Sequence, residues 1–380
     1  MLAVALLGTL FGSVPQSQEG DLATRFVNAE IVASVVGSGL SALAPDGSRL
    51  ATVDRKNQTA HVIDAATGEV TVAPHAGLTH AIALPSAGRG CWLGLADGTL
   101  VRVLADGSER EFECCEDAID GVVAVAGYVG WSSSKGEIGG LRDARSGEEL
   151  WRRELAYGNY RRPRLHLSRD GRHALCTAPS ARHGGRRERI VLDAATGKQV
   201  ASLESYMQNR KFGPALDLDG LVSAEREGSF SWRLLRLDLV SMKTVVVDSK
   251  ARGRHFVDLL ASSRIPAVLE GDHEEKDTVV YDFRADAKQP KRSFAGKLPL
   301  GFAEAHDGSE LVLTTTRTKG LGIIAWRFDD GTAVAEDVPF AKGKPMKRAG
   351  SVLGGSRIWM VYHRRGADGS SETVLELVRL

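Results

Sequence analysis

Short runs in which apolar and polar residues alternate fill this chain, and each run stops at a turn signal. Leu40-Ser41-Ala42-Leu43-Ala44 leads to Pro45-Asp46-Gly47-Ser48 and then to Leu50-Ala51-Thr52-Val53. Leu165-His166-Leu167 leads to Asp170-Gly171 and then His173-Ala174-Leu175, and Ala303-Glu304-Ala305 to Asp307-Gly308-Ser309 and then Leu311-Val312-Leu313. Period-two runs joined by Asp-Gly predict β-hairpins, because Gly accepts the positive φ at the reversal and Asp hydrogen-bonds its own backbone. Long runs with helical period are few, so the pattern predicts an all-β chain.

A second phrase follows at a fixed offset. Val62-Ile63-Asp64-Ala65-Ala66-Thr67-Gly68-Glu69 recurs as Val191-Leu192-Asp193-Ala194-Ala195-Thr196-Gly197-Lys198, with a degraded copy at Leu141-Arg142-Asp143-Ala144-Arg145-Ser146-Gly147-Glu148. Each copy reads as another hairpin, so the repeating unit is four antiparallel strands, a to d in chain order. One such sheet cannot bury both of its faces, whereas sheets stacked radially about an axis cover one another, which is the β-propeller solution. Starts of a-strands near Leu40, Thr79, Gly121, Arg164, Pro214, His255, Gly301 and Gly350 predict eight blades; seven is the alternative. The last copy supplies only three strands, while Glu30–Val36 belongs to no complete hairpin. Pairing that segment beside the C-terminal strand is expected to close the ring and hide two edges.

Composition changes this picture little. The 380 residues carry a formal net charge of +1, which argues against a dedicated nucleic-acid binder. The apolar run from Met1 to Val14 reads as the core of an export signal and is short for a membrane span. Residues 1–20 are therefore expected to be a signal peptide or a disordered N-terminus, and 21–380 a single monomeric propeller domain, extracytoplasmic (periplasmic or secreted) and otherwise cytoplasmic. No other segment is apolar enough to cross a membrane. Cys91 and Cys176 fall in b-strands as small hydrophobes.

With these phrases in hand, the chain resembles the broad superfamily of WD-repeat, YVTN-type and pyrroloquinoline-quinone-like propellers. Asp143-to-Trp151 is similar to the quinoprotein-like blade phrase, in which a Trp follows the Gly by a few positions and docks between blades. The resemblance specifies a fold, and propellers host many functions. Cys114 and Cys115, at the entrance to blade three, are placed like the adjacent cysteines of quinoprotein alcohol dehydrogenases, where a ring disulfide lies against the quinone. That resemblance implies pyrroloquinoline quinone and calcium as cofactors of an alternative, enzymatic reading. The polar residues that usually follow that pair have no counterpart in Asp117-Ala118-Ile119-Asp120, and no calcium set or catalytic Asp can be assigned.

Other chemistry is sparse. Asp272-His273-Glu274-Glu275-Lys276-Asp277 looks metal-rich but sits at a hairpin tip, where a solvated turn explains it, so no metal site is assigned. No Gly-x-Ser-x-Gly, His-Glu-x-x-His or phosphate loop is present, and no catalytic residue is named. The strongest surface feature is basic: Arg152, Arg153, Arg161, Arg162, Arg164, Arg169 and Arg172 with Tyr157 and Tyr160 among them, then Arg182, Arg186, Arg187 and Arg189 in the next hairpin. Arginine forks beside tyrosine rings suit carboxylate, phosphate or an acidic protein surface. Tyr157, Tyr160, Arg161, Arg162, Arg164, Arg186 and Arg187 are the candidate binding patch. The reading is thus a binding or scaffold propeller without a cofactor, recognising a protein or anionic ligand. The alternative is an enzyme at the channel mouth, quinone-dependent or of hydrolase/lactonase type.

Overall fold

The computed structural model describes residues 30–37, 42–44, 46–54, 57–72, 79–85, 90–125, 127–155, 165–168, 170–176, 190–201 and 357–379 with their side chains. It describes 40–41, 73, 177–179, 187–189, 202–203 and the strands between 215 and 352 as backbone.

The first strand is β1 (Glu30–Val36). Sheet one follows as β2 (Leu40–Leu43), β3 (Arg49–Asp54), β4 (Thr59–Asp64) and β5 (Val70–Ala73). Sheet two is β6 (Thr79–Ala83), β7 (Cys91–Leu95), β8 (Thr99–Val103) and β9 (Glu109–Glu113). Sheet three is β10 (Gly121–Val125), β11 (Tyr128–Ser133), β12 (Ile138–Asp143) and β13 (Glu149–Glu154). Sheet four is β14 (His166–Leu167), β15 (His173–Pro179), β16 (Arg187–Asp193) and β17 (Gln199–Leu203). Sheet five is β18 (Ala215–Leu216), β19 (Gly220–Arg226), β20 (Ser231–Asp238) and β21 (Thr244–Arg252). Sheet six is β22 (His255–Ala261), β23 (Pro266–Gly271), β24 (Asp277–Asp282) and β25 (Lys291–Ala295). Sheet seven is β26 (Gly301–Glu304), β27 (Glu310–Arg317), β28 (Gly320–Arg327) and β29 (Ala333–Val338). The chain ends in β30 (Met346–Val352), β31 (Arg357–Arg365) and β32 (Ser371–Arg379).

Among the described residues these strands form eight four-stranded antiparallel sheets. Seven of them are meanders in chain order, and the eighth runs β1-β32-β31-β30. In that sheet Ala33 lies opposite Leu377 and Val35 opposite Leu375, with a bulge between Ile31 and Ala33. The a-strand of the last sheet begins at Met346, four residues before the start that Gly350 suggested, and that of sheet four at His166, just after Arg164.

The recurring turn phrase is built alike in its three copies. Asp64, Asp143 and Asp193 each accept with Oδ1 from the backbone N–H of Thr67 (2.8 Å), Ser146 (2.7 Å) and Thr196 (2.8 Å). The carbonyl of each Asp accepts from the N–H of Gly68 (2.9 Å), Gly147 (2.8 Å) and Gly197 (2.9 Å). The Ala after the Asp anchors this c–d turn to its own a–b turn: Ala65, Ala144 and Ala194 donate to the carbonyls of Ser48, Gly127 and Arg172. The phrase recurs because one hydrogen-bond scheme needs an acceptor, a small residue, a hydroxyl and a Gly in that order.

Successive sheets bury each other's faces. Ala51, Val53, Ala60 and Val62 of sheet one pack on Ile82, Leu93, Val101 and Val103 of sheet two. Leu50 and Ile63, on the opposite face of sheet one, pack on Ala33, Val35, Trp359, Val361, Leu375 and Leu377 of the eighth sheet. Trp92 and Leu100 meet Ile119, Val129 and Trp131 at the next seam, and Leu141 and Leu155 meet Leu167, Ala174, Ile190 and Leu192 at the one after. Each fully buried Leu or Ile contributes about 1.5–3 kcal/mol. Burial of both faces explains why β3 and β7 are buried along their whole lengths. The first strands of successive sheets are neighbours, β2 beside β6, β6 beside β10 and β10 beside β14.

Candidate functional site

In a four-stranded meander the a–b and c–d turns share one face, while the b–c turns and the connections from d to the next a share the other. Tyr157, Tyr160, Arg161, Arg162, Arg164 and Arg186 lie outside the described residues, but the strands bracketing them do not. Tyr157 to Arg164 fall between β13 and β14, the d-to-a connection from sheet three to sheet four. Arg186 falls between β15 and β16, the b–c connection of sheet four, and Arg187 opens β16 opposite Pro179. Residues 272–276 lie outside the described residues as well, between β23 and β24.

On this face the connection from β9 to β10 is described, together with the b–c turns of sheets two and three beside it. Cys114 and Cys115 both donate their N–H to the carbonyl of Gly98 (3.1 and 3.3 Å), and Ile119 donates to that of Leu95 (2.9 Å). The connection is thereby laid across the b–c turn of sheet two. Asp117 Oδ1 meets Lys135 Nζ at 2.6 Å, and Asp120 Oδ1 accepts from the N–H of Ser134 at 3.2 Å. These contacts tie the connection to the b–c turn of sheet three as well.

All four cysteines are free thiols. Cys114 is 2 % exposed within the seam that holds Trp92 and Trp131. Its Sγ donates to the carbonyl of Phe112 (3.5 Å), while that of Cys115 donates to the carbonyl of Asp117 (3.0 Å). Burial pushes the Cys114 thiol up to about 11 and those of Cys91 and Cys176 up to about 12; burial also raises Cys115. A nucleophilic or redox-active cysteine needs a lowered pKa and an accessible sulfur. A quinone stacked on a Cys114–Cys115 ring would need both sulfurs at a cavity wall, and Cys114 is committed to a packed core. The pair does not fit that cofactor.

Sheet three and the seam before it carry a ladder of arginines and rings. Arg142, buried, donates to the carbonyls of Gly147 (2.9 Å) and Glu113 (3.1 Å), and its guanidinium lies 5.5 Å from the Phe112 ring. Glu149 joins Arg142 to Arg152, at 3.2 and 2.8 Å, and Arg152 stacks over the Trp131 ring at 5.4 Å. Glu149 holds the Arg152 guanidinium above its ordinary value, against the opposing effect of burial. Arg152, which opens the basic stretch in the sequence, thus has a structural role. Trp151 docks as the blade phrase implies: its Nε1 donates to the carbonyl of Ala194 in the next sheet at 2.7 Å.

A basic cluster at a described b–c turn escaped the sequence reading. At the b–c turn of the eighth sheet, His363, Arg364 and Arg365 line an open recess with Gly369, Ser370 and Ser371. Arg364 Nε meets Glu372 at 2.9 Å, and Thr373 Oγ1 lies 3.2 Å from His363 Nδ1. The run His363-Arg364-Arg365 beside Asp368-Gly369 was its only signal. Among the described residues no three His, Cys, Asp or Glu side chains converge as a metal site, and no helix is long and apolar enough to cross a membrane.

No family model matches the chain, and no curated protein matches it in sequence. Solved structures do match. BamB from Moraxella catarrhalis superimposes with a TM-score of 0.55 at 15 % identity, over 93 % of this chain and 100 % of that one. The Dos1 propeller does so with a TM-score of 0.58 at 12 % identity, over 92 % and 95 %. At such identities the likeness concerns architecture alone: the chain has a β-propeller fold.

Proposed function

We propose that this chain is a binding or scaffold propeller of eight blades, closed by β1 in the last blade, with no catalytic step and no cofactor. Its recognition surface is the face of the b–c turns and d-to-a connections, and its ligand is a protein surface or other ligand rich in carboxylate or phosphate. What supports this reading is strand order and sequence together: the Tyr157–Arg164 segment belongs to the d-to-a connection β13–β14 and the Arg182–Arg186 segment to the b–c connection β15–β16, and in a meander connections of these two kinds share a face. His363, Arg364 and Arg365 add positive charge to that face at the eighth sheet. Guanidinium groups suit bidentate recognition of carboxylate and phosphate, and an Arg–Tyr surface is the composition of protein interface hot spots. The high thiol pKa values favour binding over cysteine chemistry. Residues 1–20 act as an export signal, and 21–380 work as one monomeric domain outside the cytoplasm.

The test is retention of the purified chain on polyglutamate resin in rising salt. Changing Arg161, Arg162 and Arg164 together to Glu is expected to abolish retention without altering the thermal midpoint. Unchanged retention would remove the anionic-ligand reading.

A further inference from the structure

Of the c-strand arginines described with their side chains, two stand opposite a glutamate of the d-strand. Arg142 of β12 lies opposite Glu149 of β13 and pairs with it at 3.2 Å. Arg379 of β32 lies opposite Glu30 of β1 and pairs with it at 3.6 Å. Arg102 of β8 differs, since the residue opposite it on β9 is Arg110. Directly opposed like charges destabilise a strand pair, and the other two rows avoid that cost with a carboxylate.

The eighth sheet holds the counterpart of this row. There Arg357 of β31 also lies opposite Arg379, and it donates to the carbonyl of Ala66 in the c–d turn of sheet one. Burial and Arg379 lower the Arg357 guanidinium below its ordinary value, while Asp64 and Glu30 act in the other direction. In sheet two, Arg102 Nη1 donates at 3.0 Å to the carbonyl of Arg145, which occupies the place of Ala66 in its own copy of the turn phrase. The Arg102 guanidinium also lies 5.6 Å from the centre of the Trp92 ring. Both seams thus have one arginine stapled to the next turn and a second arginine opposite it. The place that Glu30 takes in the eighth sheet lies, in sheet two, beyond β9 on the solvent side, because β9 ends the order β6-β7-β8-β9.

Arg145 adds a third cation, where the other two copies of the phrase have Ala66 and Ala195. Arg110 and Arg145 are exposed and Arg102 is partly so. Among the described residues no carboxylate pairs with any of these three guanidinium groups. Glu109 and Glu111 flank Arg110 along β9, but they project on the other side of the strand, with Val103 and Val101. Asp143 Oδ1 is taken up by the N–H groups of Arg145 and Ser146 and by the Ser146 hydroxyl. Glu148, exposed, is the other acid of that turn.

We infer that Arg102, Arg110 and Arg145 form a binding site for one carboxylate group of a ligand, seated in the place that Glu30 takes in the eighth sheet. Arg102 is held by the Trp92 ring and the Arg145 carbonyl, so one guanidinium is fixed before the ligand arrives, and Arg110 and Arg145 supply further donors. A carboxylate is the group that this protein itself places in both sister rows. The site lies on the side of the a–b and c–d turns, opposite to the proposed basic face, and the two can fail separately.

The test is calorimetric titration of the full chain with glutarate, with a blocked Gly-Glu-Gly peptide and with inorganic phosphate, at matched ionic strength. Saturable binding of glutarate or of the peptide is expected, and the tighter of the two identifies the source as a small acid or an acidic protein side chain. Arg110→Glu restores the sister pattern. It is expected to raise the thermal midpoint and to weaken binding at least about tenfold, because its carboxylate repels the ligand's from the same place. Arg145→Ala, the residue of the other two copies, should weaken binding with an unchanged midpoint. Changing Arg161, Arg162 and Arg164 together to Glu should leave this binding as in the parent. Tighter binding of phosphate than of either carboxylate overturns the inference. So does a titration without saturation, equal binding or a lowered midpoint in Arg110→Glu, or loss of binding in the triple variant.

Discussion

Gly107 and Gly147 adopt nearly the same backbone, with φ of 82° and 80°, in equivalent c–d turns of successive sheets. A Cβ at Gly107 would meet nothing within 4 Å, whereas one at Gly147 would stand inside the Phe112 ring. The two positions therefore separate backbone strain from steric exclusion. Gly107→Ala should cost about 1–2 kcal/mol, the penalty of a left-handed conformation for an L-residue. Gly147→Ala should cost that and the displacement of a wedged ring, about 1–3 kcal/mol more. Urea midpoints of the two variants check this; equal losses would mean that the Phe112 wedge contributes nothing. Both glycines are legible in the sequence as turn residues, but the close approach at Gly147 is not, because Phe112 belongs to another sheet.

The hairpin is the element whose chemistry is best exposed. Asp143 and Asp193 lie below the usual carboxylate range, Asp143 chiefly through the Ser146 N–H and Asp193 chiefly through the Thr196 hydroxyl. In the unfolded chain such a group titrates near its ordinary value of about 3.9, so the unfolded state binds protons more tightly. The turns' contribution is full above that value and falls away as pH drops through the lowered folded one. Replacing both by Asn should flatten the fall in urea midpoint between about pH 5 and pH 2.5, the range over which ordinary carboxylates protonate. An unchanged slope would show that these turns do not govern acid stability. Strand and turn positions were readable for a physical reason: period-two alternation and Asp-to-Gly spacing are local, and the hydrogen bonds that enforce them span only a few residues.

At the scale of the whole molecule, β1 joins residues near one end of the strand list to those at the other. Val35 is buried against Leu50, Ile63 and Leu375, while Ser34 beside it is exposed. Val35→Lys should lower stability by about 2–4 kcal/mol, the range for large losses from burying an unpaired charge, while Ser34→Lys should stay within about 0.5 kcal/mol of the parent. Equal melting temperatures for the two variants would mean that β1 does not seal the seam between the eighth sheet and the first, and the closed ring proposed above would fail with it. Arg357 of β31 spans that same seam, donating to the carbonyl of Ala66.

Hydrophobic period, turn chemistry and repetition are properties of consecutive residues, and the chain by itself determined its hairpins and the four-strand unit. The candidate patch was legible only as composition, since a run of arginines does not say on which face it leaves the fold. What tertiary structure alone decided are contacts that the local pattern does not record: Cys114 sunk in a seam, Phe112 wedged against Gly147 of the next sheet and, within sheet three, Arg152 taken up by Glu149 and the Trp131 ring. The first two depend on residues of different sheets meeting across a seam, and the third on strands laid side by side, where no local period records the contact.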